Sequence, residues 1–159
     1  MSQGSASPFS LRAMLPTDVE AVAGLIAEFA RYMQELGDTT GPNLTAEALM
    51  RDGFGPRSAF EGLVAEVDGT VTGFLLYHDG YDTDEARRLV FIVDLFVSPK
   101  ARKWGLGAAL LREVAAVAKE RGAAQLVWTV DKRNTEAVSF YERQGAHIVD
   151  NLHLMVRDV

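Results

Sequence analysis

The chain has 159 residues, 48% of them hydrophobic and 24% charged, with 16 basic against 22 acidic side chains and a net charge of −6. That length supplies one domain's worth of core, and the acid excess leaves no obvious basic surplus of the kind that displaces counterions from nucleic-acid phosphates. No run approaches the roughly 18 apolar residues of a membrane span. Residues 1–10 lack a secretory pattern, and the absence of cysteine removes disulfides, thiolate nucleophiles and thiolate metal sites. A cytoplasmic protein without nucleic-acid or membrane partners is the expectation.

Residues 1–8 read as a flexible leader and 9–159 as one domain. A short strand is expected over 9–14. Thr17-Asp18-Val19-Glu20 has the Thr-x-x-Glu form of a capping box. Behind it Val19, Val22, Ile26, Phe29 and Met33 keep the three-and-four spacing of a buried helical face, with Gly37 as its stop. Thr45 caps a second helix to about residue 51. Residues 63–67 and 70–77 are β-rich runs around Asp68-Gly69, a pair suited to a type I′ hairpin turn. Asp79, Asp82, Asp84 and Glu85 then form an acidic loop, and 89–97 reads as a strand buried on both faces. A helix over 105–121, a strand over 125–130, a helix over 135–144 and two closing strands, near His147 and over 152–156, complete the chain. The order predicts an α/β (mixed α+β) architecture, a mostly antiparallel sheet flanked by about four helices.

The most informative segment lies between the apolar strand and the long helix. There Pro99 forces a turn, Arg102 and Lys103 add charge, and Gly105 and Gly107 let the backbone approach a ligand closely. Backbone amides at a helix start bind anions, and a pyrophosphate suits a turn of this length. Gly107-Ala108-Ala109 lacks the Gly-Lys-Ser/Thr of a Walker loop, and Leu110 stands where a dinucleotide fingerprint needs a small residue.

Arg102-x-x-Gly105-x-Gly107, followed by Asn134-x-x-Ala137-x-x-Phe140-Tyr141-x-x-x-Gly145-Ala146, resembles the GNAT superfamily of acetyl-CoA-dependent N-acetyltransferases. Leu49 to Gly55, Leu63 to Val67, Gly73-Phe74, Tyr81-Asp82, Asp94 to Val97 and Phe140 to Ala146 look like its diamine (spermidine/spermine) acetyltransferase branch, over about residues 9–157. The resemblance implies direct transfer of acetyl from acetyl-CoA to a small amine, no metal, and a homodimer. It implies that the backbone of Leu95, Phe96 and Val97 pairs with the pantetheine arm. Arg102, Lys103, Trp104, Gly105, Leu106, Gly107 and Ala108 would hold the pyrophosphate. Asn134 and Tyr141 would contact the cofactor beside a small Ala137, with Tyr141 as general acid. A phenol of pKa ~10 keeps its proton at neutral pH and can pass it to a thiolate.

The amine sets a harder requirement. A lysine-like group of pKa ~10.4 is neutral in roughly one molecule in 2,500 at pH 7, so a base or an acidic, desolvated site is needed. The diamine branch places a Glu-Asp pair on the central strand; here it is Val93-Asp94. Asp94 is therefore the candidate base, beside its reading as a structural carboxylate. Neighbouring strand positions face opposite sides unless a bulge intervenes. The branch's Tyr-Glu pair is Tyr32-Met33. Tyr32, Asp82 and Val93 are the candidate acceptor contacts, and His78 is a further possibility. The alternatives are an acyl-CoA-binding regulatory domain without catalysis and a transferase for protein or peptide amines.

Overall fold

The computed structural model describes residues 8–159, so that all of the leader but Pro8 lies outside the described residues. Strand β1 (Ser10–Ala13) leads to helix α1 (Val19–Glu35) and helix α2 (Ala46–Phe54). Strands β2 (Glu61–Val67), β3 (Thr70–Asp82) and β4 (Arg87–Val97) follow, then a 3-10 turn (Pro99–Trp104) and helix α3 (Leu106–Glu120). Strand β5 (Ala123–Val127) and helix α4 (Thr135–Arg143) come last. The sheet has the order β1-β2-β3-β4-β5, antiparallel throughout except for the parallel pair β4/β5. The mixed, mostly antiparallel sheet with four helices is the architecture the sequence predicts. The chain forms two compact units, one through Thr129 and one of Val130–Val159. No helix among the described residues is long and apolar enough to cross a membrane.

The register sorts the sheet's side chains onto two faces. Val64 lies opposite Phe74, and Phe74 opposite Phe96. Those residues join Leu76 with Val19, Val22, Leu25 and Ile26 of α1 and Leu49 of α2 in one buried cluster. Leu63 and Leu75 pair on the opposite face, which α3 covers with the wholly buried stripe Leu106, Leu110 and Val114. Burial of each such side chain contributes about 1.5–3 kcal/mol. In the hairpin between β2 and β3, Asp68 and Gly69 take φ of 50° and 75°, the two positive values a type I′ turn requires.

Four local expectations are corrected. Thr17 and Glu20 form no capping box. Pro16–Asp18 is a 3-10 turn, and the buried Asp18 carboxylate accepts the Leu15 N–H at 2.7 Å and two bonds from Arg12 at 2.7 and 2.8 Å. Arg12 also reaches Glu66 of β2 at 2.7 Å, so a shared arginine, rather than a Thr-Glu exchange, fixes the entry to α1. The acidic loop is mostly strand: β3 runs on to Asp82 and β4 begins at Arg87, because Asp82 pairs with Arg87 and accepts the Asp84 and Glu85 amides in a tight turn. β4 is buried on both faces only in part, since Arg88 and Val93 are exposed. The two closing strands are absent. Residues 146–159 belong to no helix or strand, and Ile148, Val149, Leu152, Leu154, Met155 and Val156 are 52% to 84% exposed. A strand needs a partner backbone to satisfy its amides and carbonyls, and no strand of the described chain pairs with this segment.

Candidate active site

The site in the first unit is built on β4. β4 and β5 pair only from Arg88 to Phe91, where β5 ends at Val127. Beyond Phe91 the β5-facing backbone of β4 has no strand partner among the described residues. Leu95, Phe96 and Val97 thus keep an open ladder edge on that side, of the kind to which an extended ligand can add. On its other side, β4 pairs Asp94 with Leu76 but Ile92 with Tyr77. Val93 is therefore the extra residue of a β-bulge, and it is exposed. Bulges re-aim side chains, which is what a site drawing on neighbouring strand positions requires.

Asp94 lies opposite Leu76, on the face that carries Phe96 two residues further on. It is half-buried, and among the described residues its carboxylate makes no hydrogen bond and no ion pair. Burial alone pushes its pKa up to about 6. On the same side, α1 brings Phe29 into a stack on Phe96 with ring centres 5.1 Å apart. Tyr32, one turn further along α1, receives the Arg102 guanidinium over its ring at 5.4 Å. Glu28 accepts a hydrogen bond from the buried Ser98 hydroxyl at 3.1 Å and so ties α1 to the end of β4. Glu28 is not among the candidates named from the sequence. Its spacing of four from Tyr32 on a helix was the available signal.

The 3-10 turn after β4 ends at Gly105, whose φ of 72° is left-handed. Its N–H donates to the Arg102 carbonyl at 3.2 Å, and its own carbonyl accepts the Ala109 N–H at 3.0 Å as α3 begins. The amides of Leu106, Gly107 and Ala108 thus stand in the first turn of a 15-residue helix that has no acidic residue there, where an α-helix offers no internal acceptor. Positive helix-end potential, free amides and two neighbouring cations suit this turn to an anion. Arg102 Nε meanwhile donates to the Val97 carbonyl at 3.2 Å, and the Lys103 ammonium lies 4.6 Å from the centre of the Trp104 ring.

Asp82 is not brought to this site. It sits six residues along β3 from Leu76, roughly 20 Å at the rise of a strand, and its carboxylate serves the hairpin turn. His78 stacks on Phe91 and lines a separate, open cleft of about 360 Å³ with Phe60, Glu61, Tyr77 and Asp79. In the second unit, Asn134 is buried and caps α4 by accepting the Ala137 N–H at 3.1 Å. Asn134, Ala137 and Tyr141 recur at intervals of three and four, on one face of that helix. Tyr141 is half-buried, its ring 5.2 Å from that of Phe140.

Comparison with known proteins gives these features a context. The acetyltransferase (GNAT) family matches residues 25–146. Over 137 residues the chain is 33% identical to thialysine N-epsilon-acetyltransferase of Bos taurus, covering 81% of this chain and 78% of that protein. It is 29% identical over 153 residues to spermidine/spermine N(1)-acetyltransferase-like protein 1 of Homo sapiens, covering 92% of this chain and 21% of that one. The fold matches that of aminoglycoside N-acetyltransferase AAC(6')-Iy, solved in complex with CoA, with a TM-score of 0.77 at 19% identity over 98% of this chain and 99% of that one. With its open central strand running into a glycine turn and its family match spanning most of its length, the chain belongs to the GNAT family of acetyltransferases.

Proposed function

We propose that this acetyltransferase moves the acetyl group of acetyl-CoA directly onto the terminal primary amine of a small basic metabolite, an aminoalkyl amino acid rather than a long polyamine. The observation that carries the reading is the continuity of one segment. The open edge of β4 ends at Val97 and the anion site begins within the next ten residues. An extended thioester arm and its pyrophosphate are therefore held by consecutive parts of the chain. Leu95 to Val97 orient the arm, and Arg102 to Ala108 hold the phosphates. The resemblance that names these segments also names Asn134, Ala137 and Tyr141 as cofactor contacts.

Each chemical role follows from a property of its side chain. A carboxylate poised near neutrality suits a general base, so Asp94 takes the proton that the ammonium must lose. The free amine attacks the thioester carbonyl, the C–S bond breaks, and the Tyr141 hydroxyl gives its proton to the departing thiolate, while the proton left on the acylated nitrogen passes through solvent to restore the phenol. The chain has no cysteine to carry an acyl-enzyme, which favours direct transfer. Val93 and Met33 put no carboxylate where the diamine branch has two. One unpaired carboxylate fits an acceptor with one amine to activate, and a relative named for thialysine supports that class. The enzyme acts in the cytoplasm as a homodimer, with Tyr32 and Val93 lining the acceptor's approach.

The test is CoA release from acetyl-CoA against lysine analogues, ornithine, diamines, polyamines, aminoglycosides and lysine peptides, with Tyr141→Phe in parallel. Turnover confined to amino-acid amines and reduced at least tenfold in the variant is expected. Turnover on polyamines alone would overturn the acceptor class, and an unaffected Tyr141→Phe would overturn the acid.

A further inference from the structure

The cleft beside His78 holds a hydroxyl without a partner. Tyr77 is only 4% exposed, yet among the described residues its hydroxyl makes no hydrogen bond. No wholly buried side-chain nitrogen or oxygen of those residues is left unpaired. The small part of Tyr77 that stays exposed therefore includes the hydroxyl, in the cleft that the residue lines. A phenylalanine would fill the same place without leaving a polar group short of a partner. Burial raises the phenol's pKa above its ordinary value, so the group keeps its proton and its lone pairs stay available.

The surroundings select a cation. Glu61 stands opposite Tyr77 on β2, and Asp79 follows two residues along β3. Arg121 donates to both Glu61 oxygens at 2.6 and 2.8 Å and to one Asp79 oxygen at 3.2 Å, with its guanidinium 5.4 Å from the centre of the Tyr77 ring. The second Asp79 oxygen has no partner among the described residues. Two carboxylates against one guanidinium leave the cluster negative. His78 Nδ1 lies 2.9 Å from the Asp79 backbone carbonyl, which only accepts, so Nδ1 carries the proton and the neutral ring keeps Nε2 as an acceptor. Ala59 and Phe60 add a wall of carbon, and the volume of about 360 Å³ is that of a small-molecule site.

We propose that this cleft binds a small aliphatic primary amine as its ammonium ion. The three N–H donors go to Tyr77, Asp79 and His78, and the alkyl chain lies along Ala59 and Phe60. The site is separate from that of acetyl transfer. β3 sends Tyr77 to the α3 side of the sheet with Leu75, whereas Asp94 stands opposite Leu76 on the other side. Binding here is independent of the acetyl-transfer chemistry.

The test titrates n-butylammonium chloride into the isotope-labelled protein and follows the backbone amides by NMR. Sodium chloride and sodium butyrate serve as controls for ionic strength and for the alkyl chain, and Nα-acetyl-lysine methylamide for an amine carried on a protein. Saturable shifts at 58–61 and 77–79 are expected with butylammonium and not with either sodium salt. The dissociation constant should rise about tenfold in Tyr77→Phe and in Asp79→Asn. Tyr77→Phe keeps the ring beneath Arg121, so its circular dichroism and its turnover of acetyl-CoA should match the wild type, which separates lost binding from lost fold. Shifts confined to 93–97 would put the amine at the acetyl-transfer site alone and overturn the proposal. An equal response to the sodium salts, no response, or an unchanged constant in both variants would overturn it as well. Tighter binding of the lysine derivative would overturn a free amine as the ligand. Cleft binding without acetyl transfer to any amine would instead sink the proposed function and leave this site standing.

Discussion

At the scale of single residues, Asp94 carries the sharpest prediction. Its pKa of about 6 comes from burial without any compensating partner, so the base is half-ionised near pH 6 and fully available above it. Asp94→Asn is expected to lower kcat/KM by about 10²- to 10⁴-fold, the usual contribution of a general base. It should also remove the acid limb near pH 6 from the wild-type profile, and steady-state rates from pH 5 to 9 check both. A variant that keeps that limb would mean that the limb belongs to another group. A second prediction concerns Glu28, whose carboxylate holds the Ser98 hydroxyl. Glu28→Gln still offers an acceptor oxygen and should cost less than tenfold in activity. Glu28→Ala leaves Ser98 without that partner and should raise the acetyl-CoA KM, because the segment between β4 and the glycine turn loses its tether. The glycine turn was legible from its own residues, whereas the candidates in the β4 segment came only from the family resemblance. The bulge at Val93 was not, because it is a property of the register between two strands and neither strand reveals it alone. Asp82 shows the converse: a carboxylate named by resemblance is engaged by the nearby Arg87 and two amides.

At the scale of elements, the turn into α3 depends on one backbone conformation. Gly105 has φ of 72°, and a Cβ added there would meet nothing within 4 Å. The cost of Gly105→Ala is therefore conformational, about 1 kcal/mol or somewhat more, and Gly105→Asn should cost less because asparagine tolerates the left-handed region. Urea unfolding should rank them wild type, Asn, Ala, and acetyl-CoA affinity should follow the same order, since the residue sets where the helix amides point. Thr45→Ala removes the hydroxyl that caps α2. It should lose about 1 kcal/mol of stability without changing acetyl-CoA affinity, which separates a cap from a ligand site. Elements whose signals are local were readable: the α1 stripe, the Thr45 cap, the Asp68-Gly69 hairpin and the helix ended by Gly145. Elements decided by a distant partner were not. β3 and β4 lengthen because they pair with each other, and the closing strands fail because alternating apolar residues mark a capacity to pair, not a partner.

At the scale of the whole molecule, two carboxylates pull stability in opposite directions with pH. Asp18 is held below the ordinary carboxylate range chiefly by its hydrogen bonds from Arg12. Its contribution is present above its unfolded pKa, about 3.9, and is lost as pH falls toward its lower folded value. Asp94, raised to about 6 by burial, behaves inversely. The folded state favours its protonated form, so its contribution is full below about pH 3.9 and is lost as pH rises through 6. Melting temperature should accordingly fall between pH 5 and pH 7.5 in the wild type. Asp94→Asn should flatten that decline while leaving the acid limb intact, and Asp18→Asn should weaken the acid limb while leaving the decline. If Asp94→Asn melts in parallel with the wild type across pH 5 to 7.5, the carboxylate is not desolvated in solution, and its assignment as base fails with it. Acetyl-CoA at about 100 times its dissociation constant should add roughly 2.7 kcal/mol at every pH where it binds. If the anion site at Gly105 holds the pyrophosphate, that gain should shrink in Gly105→Ala and persist in Asp94→Asn, which separates loss of the cofactor's site from loss of the base.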